Sequence, residues 1–146
     1  MREYDDLVYN KINRFGGIIM GMGGNVLEND KRKIADFIND YVKKNGYNVV
    51  LSNKELNALY EENGVGLESV YYLNSDYCYN RTNKGMVENF KNDLHIFEYV
   101  KRGYYRLLGE NYEYTGDIMH KPSKEEEYVA GHWKDGVLVE WNPRIN

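Results

Sequence analysis

Residues 75–85, Ser-Asp-Tyr-Cys-Tyr-Asn-Arg-Thr-Asn-Lys-Gly, divide this chain into a helical half and a strand half. The stretch contains no Leu, Ile, Val, Phe or Met, so it is expected to add little to a hydrophobic core. Before it, apolar residues recur at helical spacing; after it, a β-hairpin is expected. The fold class that follows is α+β.

The helical half opens with an amphipathic pattern over 3–14, where Tyr4, Leu7, Val8 and Ile12 share a face. A glycine-rich segment, 16–24, comes next. A dinucleotide fingerprint needs a strand before such glycines and a helix directly after, and no Lys-Ser/Thr follows for a P-loop. A turn with a short apolar strand is the expectation there. Asn29 or Asp30 is placed to cap a helix running to about Lys44, with Ile34, Phe37, Ile38, Tyr41 and Val42 on one stripe. Lys43 and Lys44 suit its C-terminal dipole, and Asn45-Gly46 ends it. Tyr47 to Leu51 is a short β-rich run. Ser52-Asn53-Lys54-Glu55 is a capping box and predicts a helix over 53–63 with Leu56, Leu59 and Tyr60 inward. Leu67, Val70 and Tyr71 predict a further helical turn or two after Gly66.

In the second half, Leu94 to Val100 and Tyr104 to Leu108 read as strands around a tight turn, Lys101-Arg102-Gly103. Helix, short strand, helix, helix, hairpin is the order of a winged helix-turn-helix, whose second paired helix enters a groove. The hairpin is the wing, and Lys101, Arg102 and Arg106 are where phosphate contacts are expected. Tyr112 to His120 reads as extended, and Asp135-Gly136 turns a second hairpin, expected to pair with the wing. The chain thus divides into an N-terminal helix and glycine segment (1–28), a winged-helix core (29–109) and a C-terminal β extension of the same domain (110–146).

Function classes are narrowed by charge and by missing motifs. The 146 residues carry a net charge of −4, whereas phosphate contacts usually make a strong DNA binder basic. Residues 74–124 alone lean positive, with 8 Lys+Arg against 7 Asp+Glu. A DNA-binding face is therefore expected to be small and local. The single cysteine, Cys78, allows no internal disulfide and fits a reducing, cytoplasmic setting. No apolar run approaches a membrane span and no signal peptide opens the chain, so no membrane partner is expected. Cys78 has no local His to activate it. His95, His120 and His132 are scattered, and Glu88-Asn89-Phe90-Lys91 does not match a nuclease constellation. The expectation is a recognition module with no enzymatic activity, metal or cofactor.

Within the central stretch, Tyr77 and Tyr79 are candidates for stacking on a base or partner, with half-buried packing as the alternative. Arg81 and Lys84 are candidates for phosphate or base-edge contacts, with solvated surface charge as the rival. Asn80 and Asn83 suit adenine contacts or turn capping. Tyr77, Tyr79, Asn80 and Arg81 are expected partly exposed on one surface.

Leu67 to Leu73, Ser75-Asp76, Tyr79, Gly85, Ile96-Phe97-Glu98 and Gly103-Tyr104-Tyr105-Arg106-Leu107 together resemble the winged-helix modules that accompany prokaryotic restriction endonucleases. The chain is also similar to a group of bacterial and phage proteins that share an S-D-Y-C-Y-N stretch. Their tail, L-G-E-N-Y-x-Y-x-G followed by H-K-P, is matched by residues 108–116 and by His120-Lys121-Pro122. The resemblance covers roughly residues 50–141 and implies DNA binding within a restriction or phage-related system. The alternative is a phage-encoded protein that binds and inhibits a bacterial nuclease, an anti-CRISPR-like role compatible with an acidic, Tyr-rich chain.

Overall fold

The computed structural model describes residues 26–69 and 72–144, apart from the side chains of residues 84 and 85. The helix expected over 3–14, the segment 16–24 and the side chain of Lys84 lie outside the described residues.

Helix α1, Glu28–Asn45, buries Ile34, Ile38 and Val42 of the expected stripe together with Ala35, while Phe37 and Tyr41 pack partly buried against the same core. Gly46 leaves the helix at a φ of 81°, and its N–H closes on the Val42 carbonyl at 2.8 Å. Asp30 does not cap α1: it sits fully buried in the first turn. Its carboxylate instead accepts the backbone N–H groups of Glu68, at 2.9 Å, and of Ser69. A short strand, β1 (Val50–Ser52), leads into helix α2 (Asn53–Glu62). The capping box is formed: the Glu55 N–H donates to Ser52 Oγ at 3.1 Å and the Ser52 N–H to Glu55 Oε1 at 2.9 Å. Leu56 and Tyr60 turn inward.

Among the described residues the helix expected after Gly66 is not formed: residues 65–69 and 72–73 are non-helical, and Val70 and Tyr71 lie outside the described residues. The amides of Glu68 and Ser69 point to Asp30 rather than to a preceding turn. The buried Asn74 side chain then anchors the segment, its Oδ1 accepting the hydroxyls of Tyr60 and Tyr72 at 2.8 Å each. A 3-10 turn, Asn74–Tyr77, takes the place of the helix.

Strand β2 (Arg81–Thr82) and a 3-10 segment, Lys84–Asn92, lead to the expected hairpin of β3 (Phe97–Lys101) and β4 (Tyr104–Leu107). Strands β5 (Gly116–His120), β6 (Tyr128–Lys134) and β7 (Val137–Trp141) follow. Two sheets result, an antiparallel one in the order β1-β4-β3 and a second in the order β2-β5-β6-β7, with β2 parallel to β5. The architecture is mixed α+β. The β6–β7 hairpin turns at Asp135 (φ 50°) and Gly136 (φ 82°), the two positive angles that an Asp-Gly turn supplies. It does not pair with the wing. It adds to β5 instead, because the outer edge of β3 is already occupied by the central stretch.

That stretch joins the two sheets. The Ile96 N–H donates to the Tyr77 carbonyl at 2.9 Å, and the Tyr79 N–H to the Phe97 carbonyl at 2.8 Å. One residue on, the Met119 N–H donates to the Asn80 carbonyl at 2.9 Å. A first core of Ile34, Ile38, Leu56, Tyr77, Phe97 and Leu107 lies between the helices and the first sheet. A second, of Tyr79, Phe90, Leu108, Tyr114, Ile118 and Trp133, lies under the second sheet.

Candidate functional site

The tyrosines of the central stretch are core, while Asn80 and Arg81 are partly exposed, as expected. Tyr77 is 0% exposed and stacks on Tyr72 with ring centres 5.4 Å apart. Tyr79 is 3% exposed, stacked on Tyr114 at 5.2 Å and edge-on to Trp133 at 5.4 Å. Its hydroxyl donates to the Gly109 carbonyl at 2.8 Å and accepts the Tyr112 N–H at 3.2 Å. Burial pushes that phenol up to about 12. The expectation of exposed tyrosines fails because the chain passes between two cores, and a Tyr ring fills apolar space as Phe does while its hydroxyl finds a carbonyl. Absence of aliphatic residues was the wrong criterion for a segment so rich in tyrosine.

The polar residues around those tyrosines are committed too. Asn80 imitates a strand residue: its Oδ1 accepts the Tyr99 N–H at 2.7 Å and its Nδ2 donates to the Tyr99 carbonyl at 2.9 Å. Asn83 Nδ2 donates to Ser75 Oγ at 3.0 Å and Asp76 Oδ1 at 2.7 Å. Arg81 pairs with Glu127 and lies over the Tyr99 ring, 4.6 Å from its centre. These contacts commit one donor and the carbonyl of the Asn80 amide, and the Nδ2 of Asn83, to holding the fold.

The β3–β4 hairpin, expected as a wing, is different. Lys101 and Tyr104 are cross-strand partners, and the Lys101 ammonium sits 4.6 Å from the centre of the Tyr104 ring. Arg102 is exposed at the turn. The Asn53 N–H donates to the Gly103 carbonyl at 2.9 Å, which brings the first turn of α2, and with it the exposed Lys54, beside the wing tip. Among the described residues, Lys54, Lys101 and Arg102 form no ion pair. Arg106 does: its Nε donates to Glu98 at 2.9 Å, and the Tyr114 hydroxyl donates to the other oxygen of that carboxylate at 2.7 Å. Of the cations expected at the hairpin, then, Lys101 and Arg102 have no ion pair among the described residues and Arg106 is neutralised. Lys54 and Tyr104 were missed. Lys54 was visible only as part of a capping box, and its closeness to residues 101–104 is a tertiary fact.

The histidines do not converge. His95 is packed among Phe90, Trp133 and Tyr79, at ring distances of 4.4, 5.2 and 5.6 Å. Burial pulls its pKa down to about 4. His120 is buried with Nδ1 3.1 Å from the Thr82 carbonyl. Among the described residues, no group of three or more His, Cys, Asp or Glu side chains is placed to hold a metal ion. Cys78 is fully buried and its thiol is pushed up by desolvation, so it is not an activated nucleophile. No helix among the described residues is long and apolar enough to cross a membrane.

Comparison with known proteins adds a family and one curated relative. The family model described as "Domain of unknown function (DUF7225)" matches residues 33–140. "Uncharacterized protein YnaC" of Bacillus subtilis (strain 168) is 43% identical over 96 residues, which cover 64% of this chain and 34% of that protein. The chain thus spans about a third of the length of that relative. No solved structure matches it.

Proposed function

The chain belongs to the DUF7225 family, and we propose that it acts as a non-enzymatic recognition module that binds DNA through its wing, in a restriction or phage-related system. One observation supports the reading: Lys101 and Arg102 stand at the hairpin turn, Lys54 lies in the adjoining first turn of α2, and among the described residues none of the three forms an ion pair, in a chain whose net charge is −4. Cations left unneutralised on an acidic protein mark the place where an anionic partner is attracted. The order α1-β1-α2 and the β3–β4 hairpin support a winged-helix scaffold. Its departure is the non-helical segment after Gly66, so groove reading by a recognition helix is not part of the proposal. The restriction or phage setting rests on the resemblance of residues 50–141 alone.

The test is the salt dependence of DNA affinity for the protein and for Lys101→Ala/Arg102→Ala. Each lost phosphate contact should flatten the slope of log K against log salt by roughly 0.9, similarly for all sequences. An unchanged slope and affinity in the double variant would remove the wing from the interface.

A second reading is favoured by the exposed Val129, Val137 and Val139 of the second sheet. Apolar side chains there suit a protein partner, and an inhibitor of a bacterial nuclease would need no basic face. A stoichiometric complex with such a nuclease, lost on Val137→Asp/Val139→Asp, would support it.

A further inference from the structure

We propose that the nucleic acid bound at the wing is single-stranded, laid across the outer face of the three-stranded sheet with one base stacked on Tyr104; this rests on the nucleic-acid reading above. Cross-strand partners project to the same side of a sheet. The register places Ser52, Tyr104 and Lys101 in one row and Val50, Arg106 and Glu98 in the next. The opposite side carries Tyr105, Leu107 and Phe97 into the first core. On the outer side, Tyr104 is 40% exposed and Val50 37%. The Lys101 ammonium lies 4.6 Å from the centre of the Tyr104 ring, Arg102 is exposed in the turn between them, and the first turn of α2, with Lys54, adjoins that turn through the Asn53–Gly103 bond; on the same side the Glu98–Arg106 pair is closed by the Tyr114 hydroxyl.

That combination selects among anionic ligands. A duplex keeps the faces of its bases inside the stack, so an exposed ring gains nothing from it beyond the phosphates. A single strand presents both a base face and a flexible backbone, and sheet faces bearing aromatics with flanking cations use both. An acidic peptide would satisfy the cations and leave the ring without a planar partner. Charge complementarity is local, which suits a site a few nucleotides long.

The experiment is fluorescence anisotropy with the full chain and four probes: a labelled DNA 12-mer, the same sequence as duplex, the RNA equivalent, and an acidic peptide. The expected result is tighter binding of a single strand than of the duplex. Tyr104→Leu should weaken the single-strand complex by roughly tenfold and leave any duplex binding unchanged, while Tyr104→Phe, which keeps the ring, retains wild-type affinity. Should the Leu variant fail to fold, the Phe variant and Lys101→Ala/Arg102→Ala decide: loss on Tyr104→Phe, or single-strand affinity indifferent to the cations, overturns the proposal. Equal or tighter duplex binding overturns it too but leaves the DNA reading standing. Binding of the acidic peptide alone, or of no probe, overturns both.

Discussion

The indole Nε1 of Trp133 donates a hydrogen bond to the backbone carbonyl of Tyr79 at 2.7 Å, across 54 residues of chain. Trp133 belongs to β6 and Tyr79 to the segment that lies along Phe97. The bond therefore ties the second sheet to the first at the point where their cores meet. Only the residue between them separates Tyr77, in the first core, from Tyr79, in the second.

Tyr79→Ala should for that reason unfold or severely weaken the protein. Emptying a buried aromatic site costs about 3–5 kcal/mol. Tyr79→Phe keeps the ring contacts and loses the hydroxyl that donates to Gly109 and accepts from Tyr112, a cost of about 1–2 kcal/mol. Urea denaturation of the two variants measures the difference. A wild-type midpoint for Tyr79→Ala would mean the ring is not core.

Asn80→Ala removes the side chain that pairs with the backbone of Tyr99. Both the N–H and the carbonyl of Tyr99 lose a partner, for an expected loss of about 1–3 kcal/mol. Asn80→Asp keeps the acceptor for the Tyr99 N–H but sets a carboxylate oxygen against the Tyr99 carbonyl, and is expected to be no better than Ala. Amide exchange at Tyr99 should quicken in Asn80→Ala, and unchanged protection in that variant would contradict the pairing.

His95 makes stability depend on pH. Its pKa is pulled down to about 4 by burial, from an ordinary value near 6.5. Between those values the unfolded chain holds a proton that the folded one refuses. Stability is thus complete above pH 6.5 and falls as pH drops toward 4, by on the order of 3 kcal/mol over the window. His95→Phe should flatten the decline across that window, as read by melting temperature at half-unit pH steps. A parallel decline in the variant would place the titrating group elsewhere.

Gly131 of β6 pairs with Trp141 of β7. A Cβ at this position would run into the Glu140 carbonyl oxygen, a backbone atom that cannot swing aside. Gly131→Ala is expected to cost about 1–3 kcal/mol, the range for forcing an extra group into a packed site. The fluorescence of Trp133 and Trp141, which flank the contact, should report any local rearrangement. A fully wild-type melt would show that the two strands can part at no cost.

Local chemistry made much of this molecule legible in one dimension. The apolar stripe from Ile34 to Val42, the reciprocal Ser52–Glu55 bonds, the Lys101–Gly103 turn and the Asp135-Gly136 turn each depend on residues a few positions apart. Their geometry is set by short-range sterics and hydrogen bonding, and the structure has all four. The failures share another character. Leu67, Val70 and Tyr71 have helical spacing, yet the segment that contains them gives its Glu68 and Ser69 amides to Asp30, 38 and 39 residues away. A propensity worth tenths of a kcal/mol per residue does not outweigh a buried carboxylate that needs donors.

The proposed binding face divides along the same line. That Lys101 and Arg102 stand at a turn was determined by the sequence itself, because Gly103 takes the positive φ a tight turn requires. That Arg106 is neutralised by Glu98, that the first turn of α2 with Lys54 adjoins the hairpin turn, and that Tyr77 and Tyr79 are walled in by Tyr72, Tyr114 and Trp133 was decided only by the tertiary structure. The reason is physical. Burial and charge pairing depend on which distant segments share a volume, and two sheets closing on one stretch of chain turn its tyrosines into core.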